Sequence, residues 1–414
     1  METNLSAEFR ATADGDEAES ILRACVHCGF CNATCPTYQL LGDELDGPRG
    51  RIYLMKEVLE GAAPTARTQL HLDRCLTCRS CETTCPSGVR YGALVDIGRR
   101  IVERKVVRPP AEAAKRYTLR KGLLSHSLFG AALATGRAVR AWLPREIAQR
   151  IPERHRAGKW PTAGHARQML IMRGCVQPAI APNIDAAMAR ILDRIGIGAV
   201  AAPDGGGCCG ALSEHLAAHD EALALARSNI DAWWPALESG AEAIIVTASG
   251  CGVSVREYGH LLRGDTMYAQ RAAQVSKFAR DPVEVIAAEW KAIGPLIALD
   301  RGSPRIAFHA PCTLQHGMQI KGQVEELIDA MGYQRLPIVD AHLCCGAAGT
   351  YSMLQPALAG QLKHNKLAAL EAERPHVIAS ANIGCITHLA SGTERPVRHW
   401  IELLDERMLD VNHG

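Results

Sequence analysis

The sequence predicts an α+β multidomain chain, with an α-helical domain folded around eight cysteines, then an α/β, parallel-sheet, cysteine-rich domain that occurs twice. Three observations predict it. One cysteine run is written twice before residue 86, a different cysteine pattern is written twice after residue 168, and the stretch between holds no cysteine. The expected boundaries are 1–105 for the helical domain, 106–165 for a basic helical connector, and 166–300 and 301–414 for the two repeats. With 414 residues, 47% of them hydrophobic, the chain has apolar material for two or three domains.

The first run is Cys25, Cys28, Cys31 and Cys35 before Pro36; the second is Cys75, Cys78, Cys81 and Cys85 before Pro86. Each reads C-x2-C-x2-C-x3-C-P. Three closely spaced thiolates wrap three corners of one [4Fe–4S] cubane, and the fourth points away toward the other cluster. Cluster 1 is therefore expected on Cys25, Cys28, Cys31 and Cys85, and cluster 2 on Cys75, Cys78, Cys81 and Cys35. Structural zinc sites space two C-x2-C pairs apart instead of running four cysteines together. Disulfides do not fit either, because nothing in the chain points to an oxidising compartment.

Within this domain Gly29 gives the cluster loop a residue without a side chain where the backbone bends round the metal. Ile52 to Glu60 has helical spacing and stops at Gly61, and Gly88 to Arg104 reads as another helix. The connection between the runs is thus helical rather than a hairpin. The stretch resembles the helical two-cluster, ferredoxin-type domains in the iron–sulfur subunits of succinate dehydrogenase and related complexes. Arg49 and Arg51 have two readings, over a cluster or in the solvated first turn of a helix starting at Pro48; the solvated turn is the preferred one.

The connector is rich in Arg, Ala and Pro. Its basic helices suit either an anionic membrane surface or a partner subunit, or simply a solvated face. Its quietest apolar stretch, Leu123 to Gly136, falls short of the roughly twenty residues of a membrane span. The acidic segment Met1 to Arg23 has no apolar run, so no secretory signal is expected and the protein is placed in the cytoplasm. Net charge is +2 and aromatic content 5%, which argues against nucleic acid as a partner.

In the repeats Cys175, Cys208, Cys209 and Cys251 recur as Cys312, Cys344, Cys345 and Cys385, at offsets of 137, 136 and 134 residues. Gln177 pairs with Gln315 and Asn229 with Asn365. Apolar runs, Met169 to Met172 and Ile306 to Phe308, end at the first cysteine of each repeat. Amphipathic helices follow, marked by Ile184, Met188, Ile191, Leu192 and Ile195 and by Val324, Leu327, Ile328 and Met331. Further runs, Ala243 to Val246 and Val377 to Ala379, lead to Cys251 and Cys385. Parallel strands of this kind bring the cysteines to their carboxyl ends, where such sheets build sites. The eight later cysteines stand as candidate sites for a further iron–sulfur cluster, beside a packing role.

The Cys-Cys-Gly pattern resembles the CCG domain of heterodisulfide reductases. In that family the last element is C-x2-C, whereas Ser254 and His388 stand here; this removes a thiolate from each repeat and argues against disulfide-reducing activity, with His388 left as an imidazole substitute. Gly205-Gly206-Gly207 lacks the lysine and hydroxyl residue of a P-loop, no G-x-G-x-x-G follows a strand, and no hydrolytic triad is spaced out. No flavin or nucleotide is expected on this chain, and no catalytic residue is assigned.

The residues Ile21 to Cys31, Gly42 to Leu54, Ser228 to Pro235, Cys312 to His316, Asn382 to Cys385 and His399-Trp400-Ile401 together resemble the iron–sulfur subunits of bacterial glycolate oxidase, or glycolate dehydrogenase. The resemblance implies an electron-transfer subunit that binds no substrate. It works with flavin-binding subunits that oxidise glycolate to glyoxylate, and it passes electrons toward a quinone or other acceptor, with peripheral membrane contact as a further implication. Related subunits of lactate or glycerol-3-phosphate dehydrogenases, and heterodisulfide-reductase-like catalytic subunits, share the motifs and stand as alternatives.

Overall fold

The computed structural model describes residues 1–144, 148, 151–152, 156–203, 205–299 and 302–409, without the side chain of residue 126. Parts of the expected connector (145–147, 149–150 and 153–155) lie outside the described residues.

The N-terminal domain is helical. Helix Ala13–Ala24 starts at Thr12, whose hydroxyl accepts the Gly15 N–H, and it buries Ala18, Ile21 and Leu22. Pro48–Leu59 opens with proline in the first turn, where no N–H is missed. Tyr91–Lys105 is the long helix of this domain, burying Leu94, Val95, Ile97, Ile101 and Val102 against Met55, Leu59 and Leu72. It begins three residues after the expected Gly88, since Gly88 itself has positive φ (63°) and cannot lie in the helix.

Each repeat is a four-stranded parallel sheet. β1 (Arg167–Ile171), β2 (Ile197–Ala201), β3 (Ile244–Ile245) and β4 (Ala279–Arg280) lie in the order β2-β1-β3-β4. β5 (Arg305–His309), β6 (Gln334–Arg335), β7 (Val377–Ser380) and β8 (Val397–His399) repeat it as β6-β5-β7-β8. The expected amphipathic helices are Asn183–Arg194 and Gln323–Ala330. In each sheet the chain leaves the central pair in opposite directions, β1 toward β2 and β3 toward β4. The crevice beyond that switch point is where parallel sheets bind ligands.

The two repeats share one core. Met169, Ile171, Met188 and Ile191 of the first pack with Ile306, Phe308, Ile328, Trp400 and Leu404 of the second. The His399 ring meets the Thr247 carbonyl at 3.0 Å, and the Ser249 N–H donates to the Ala381 carbonyl at 3.2 Å.

Helices Pro110–Leu124 and His126–Val139 are the two long helices among the described residues of the connector. Their cations are largely neutralised within the molecule. Arg108 and Arg116 both reach Asp73 at 2.7 Å, Arg120 and Lys121 pair with Glu221, and the Lys115 ammonium donates to the Met353 carbonyl at 2.9 Å. The connector thus straps the helical domain to both repeats. Among the described residues no helix is long and apolar enough to cross a membrane.

Candidate iron–sulfur centre

The two cysteine runs fold into loops of the same shape. His27 and Gly29 have positive φ (57° and 85°), and the matching Thr77 and Arg79 do too (52° and 59°). Left-handed residues alternating with ordinary ones turn successive N–H groups toward one side, a concavity suited to an anionic cluster. The Thr77 N–H accordingly points at the Cys75 Sγ at 3.4 Å. A side chain at Gly29 would also meet the Arg49 guanidinium, 2.6 Å from the position of its Cβ.

Cys25 ends the first helix, Cys28 precedes the short helix Phe30–Ala33 and Cys31 lies in its first turn, and Cys85 caps Ser80–Thr84. They line an open cleft, with Val26, His27, Arg49 and Pro86 around it. Burial, then the neighbouring thiols of Cys25, Cys85 and Cys28, push Cys31 up to about 11. On the other side burial raises Cys81 well above the ordinary thiol value, with Cys78, Cys75 and Cys35 adding to it. The fourth cysteine of each run therefore stands among the first three of the other. Thr34 and Thr84, equivalent residues, meet at 3.2 Å where the two short helices cross. Eight soft donors in two interleaved fours fit two cubanes; any ion they hold must displace thiol protons.

Arg51 overturns the preference for a solvated turn. Its side chain is 1% exposed and donates to the His71 carbonyl (2.7 Å), Thr37 Oγ1 (3.2 Å) and Asp46 Oδ1 (3.4 Å). Burial opposes its charge, but Tyr91, Cys75, Cys35 and Asp46 hold the guanidinium more firmly protonated than usual. A fixed cation there favours the reduced, more negative form of a cluster. The Tyr91 hydroxyl adds a contact to Cys75 Sγ at 3.7 Å. Arg49 stays at the surface, paired with Glu44 at 2.6 Å.

Arg79 is held in its left-handed conformation by a two-pronged pair with Glu257 of the first repeat. Arg100 reaches Glu214 at 2.6 Å, and Glu17 receives His260 and Arg263 at 2.9 and 2.7 Å. The second repeat touches the helical domain with its sulfurs. Cys78 faces Cys312 and Cys344 among Leu76, Tyr351 and Leu362, and Thr83 Oγ1 lies 2.8 Å from His316 Nδ1.

In the first repeat Cys208 touches Cys175 and Cys209, and Cys209 touches Cys251. Contacts from Cys208 and Cys251, then the Ala211 N–H and Ser254 hydroxyl, pull Cys209 down. Ser254, which stands where the resembling family pattern has a further cysteine, thus supplies a hydroxyl contact instead. In the second repeat the thiols run Cys312, Cys344 (3.8 Å between sulfurs), Cys345, Cys385. His388 is not among them, since its ring engages the carbonyls of Ala359 and Cys345. His309 is, with Cys345 and Cys385 in reach. Burial, then Lys366, holds His309 down to about 3, so its imidazole is neutral.

The pairing of Asn229 with Asn365 is also corrected. Gly210 and Gly346 pack on Ala222 and Ala359, which fixes the offset of the two helices at 137 and sets Asn229 against Lys366. Both are buried, whereas Asn365 is exposed. Asn229 donates to the Cys208 carbonyl at 2.8 Å and Lys366 to the Asp340 carbonyl at 2.8 Å.

Residues 21–89 match the model of a 4Fe-4S dicluster domain, and residues 169–256 and 306–390 match that of a cysteine-rich domain. The chain is 54% identical to the glycolate oxidase iron-sulfur subunit of Escherichia coli, over 99% of both chains. It is 30% identical to the probable glycolate oxidase iron-sulfur subunit of Bacillus subtilis, over 94% of this chain and 92% of the relative. Lactate utilization protein A of Exiguobacterium is 24% identical over 56% of this chain and 94% of that relative.

Proposed function

The chain belongs to the family of glycolate oxidase iron–sulfur subunits, and from that membership we propose that it is the electron-transfer subunit of a glycolate-oxidising complex. The observation that carries the reading is the pair of interleaved thiol fours, set in a chain similar along its whole length to a subunit of that name. When bound, two [4Fe–4S] clusters supply one-electron carriage. Cys25, Cys28, Cys31 and Cys85 hold one, and Cys75, Cys78, Cys81 and Cys35 the other.

The residues around them divide the work. Cys28 is exposed at the first cradle, beside Val26 and Phe30, which are 67% and 62% exposed. That apolar rim is the docking place for the flavin-bearing subunit that oxidises glycolate to glyoxylate. Arg51, Tyr91 and the loop N–H groups hold the charge of the inner cradle. Cys78 then leads to the thiols of the second repeat and away from the docking face. The terminal acceptor is a quinone or similar carrier, and the cytoplasm is the compartment that keeps these thiols reduced.

The test is turnover by the reconstituted complex. The chain alone, purified without air, is expected to hold about eight irons and to oxidise no glycolate. Adding flavin-bearing subunits restores electron delivery to a dye, and Phe30→Asp weakens that delivery without loss of iron. Glycolate oxidation by the single chain refutes the reading.

A further inference from the structure

We propose that the second repeat binds a single zinc ion through the His309 imidazole and the Cys345 and Cys385 thiolates, at a site distinct from the two cluster cradles and lacking in the first repeat.

His309 ends β5 and is 2% exposed, yet neither ring nitrogen has a hydrogen-bond partner among the described residues. A buried polar group so placed calls for a partner that hydrogen bonds do not supply. The partner is indicated by what surrounds it. The His309, Cys345 and Cys385 donor atoms all lie within 4.8 Å of one another. Ligands of tetrahedral zinc stand about 3.5–3.8 Å apart, given metal–ligand bonds of about 2.0–2.3 Å, so a small closure completes the site. Thiolates that grip a cubane stand farther apart, because the cluster lies between them. Accordingly, no three of the eight N-terminal thiols gather within that distance among the described residues.

The donor set and its surroundings agree. Imidazole and thiolate suit zinc rather than calcium or magnesium. Two thiolates and a neutral imidazole balance the charge of a divalent ion, and binding releases one proton from each thiol. Cys344, in contact with Cys345, offers a fourth donor, and the buried Lys366 ammonium faces Cys345 and Cys344 to offset a third thiolate. The Asn382 amide donates to Cys385 Sγ at 3.7 Å, the kind of second contact that fixes a ligand. The first repeat has Met172 and Asn229 where the second has His309 and Lys366. Asp43, Asp46 and His71 also converge, but the Asp46 carboxylate is already held by Arg51 and Arg74.

The experiment is metal analysis of the full chain, purified without air in buffer supplemented with zinc chloride and then dialysed. One zinc per chain is expected beside about eight irons, with nitrogen and sulfur in the zinc X-ray absorption spectrum. His309→Met, which copies the first repeat, is expected to lower zinc at least about tenfold and leave the iron unchanged, while Met172→His changes neither. Zinc retained by His309→Met, a sulfur-only zinc shell, or absence of zinc, whether with about eight or about twelve irons, overturns the proposal. If His309→Met does not fold, the spectrum of the unsubstituted protein decides by the nitrogen alone.

Discussion

The two repeats share a sheet order, a crevice and four cysteines, yet they face the helical domain differently. The first grips it through charges: Glu257 on Arg79, Glu214 on Arg100, and His260 and Arg263 on Glu17. The second meets it with sulfur, Cys312 and Cys344 against Cys78. Duplication copied the scaffold, and a few buried positions then gave the copies separate tasks. Where the first has Asn229 tying down its own Cys-Cys loop, the second has Lys366, a cation beside thiols. One copy holds the helical domain by ion pairs; the other meets it through thiols and one hydrogen bond.

The comparison breaks most visibly at the cysteines. Cys78→Ser is expected to remove about half the iron, roughly four of eight, while Cys208→Ser leaves iron content unchanged; equal losses from both erase the distinction. Asn229→Ala comes next. It strips partners from the Cys208 carbonyl, the Gly207 N–H and the Tyr258 hydroxyl, all within 2.8 Å, and is expected to cost about 2–3 kcal/mol in denaturant unfolding. A cost below about 0.5 kcal/mol would mean the loop needs no tie.

Arg79 sharpens the clamp. Arg79→Ala keeps the left-handed strain, loses the pair with half-exposed Glu257 and the packing of the arginine stem, and is expected to cost about 1.5 kcal/mol. Arg79→Gly relieves that strain, as Gly29 does in the first run, and is expected to cost about 1 kcal/mol less. If glycine is worse than alanine, the backbone is not strained there. The smallest effect is expected at the sulfur-bearing contact. Thr83→Val removes the hydrogen bond to His316, costing about 0.5–1 kcal/mol in thermal unfolding with iron retained. Loss of iron instead would show that the contact holds the second cradle.

The sequence by itself determined the two cysteine runs, the duplicated parallel modules and the cysteines beyond the strand ends. These follow from spacing, because ligands a few residues apart and apolar runs of strand length act locally. It also marked Gly29, whose positive φ and contact with the Arg49 guanidinium favour a residue without a side chain. It did not reveal that Arg51 is buried, since a helix N-terminus near Pro48 reads as solvated until Asp46, Thr37 and the second cradle fold over it. It set Asn229 against Asn365 because the letters match, whereas the packing of Ala222 and Ala359 on their glycines moved the register by one residue. It favoured His388 by its place after Cys385, and only the fold turned that ring to carbonyls and brought His309 to the thiols. How each copy meets the second cysteine run, by charge at Arg79 or by sulfur at Cys78, was likewise decided by tertiary structure. Contacts between residues hundreds of positions apart depend on the shared core of the repeats and the strap of the connector, and no local pattern encodes them.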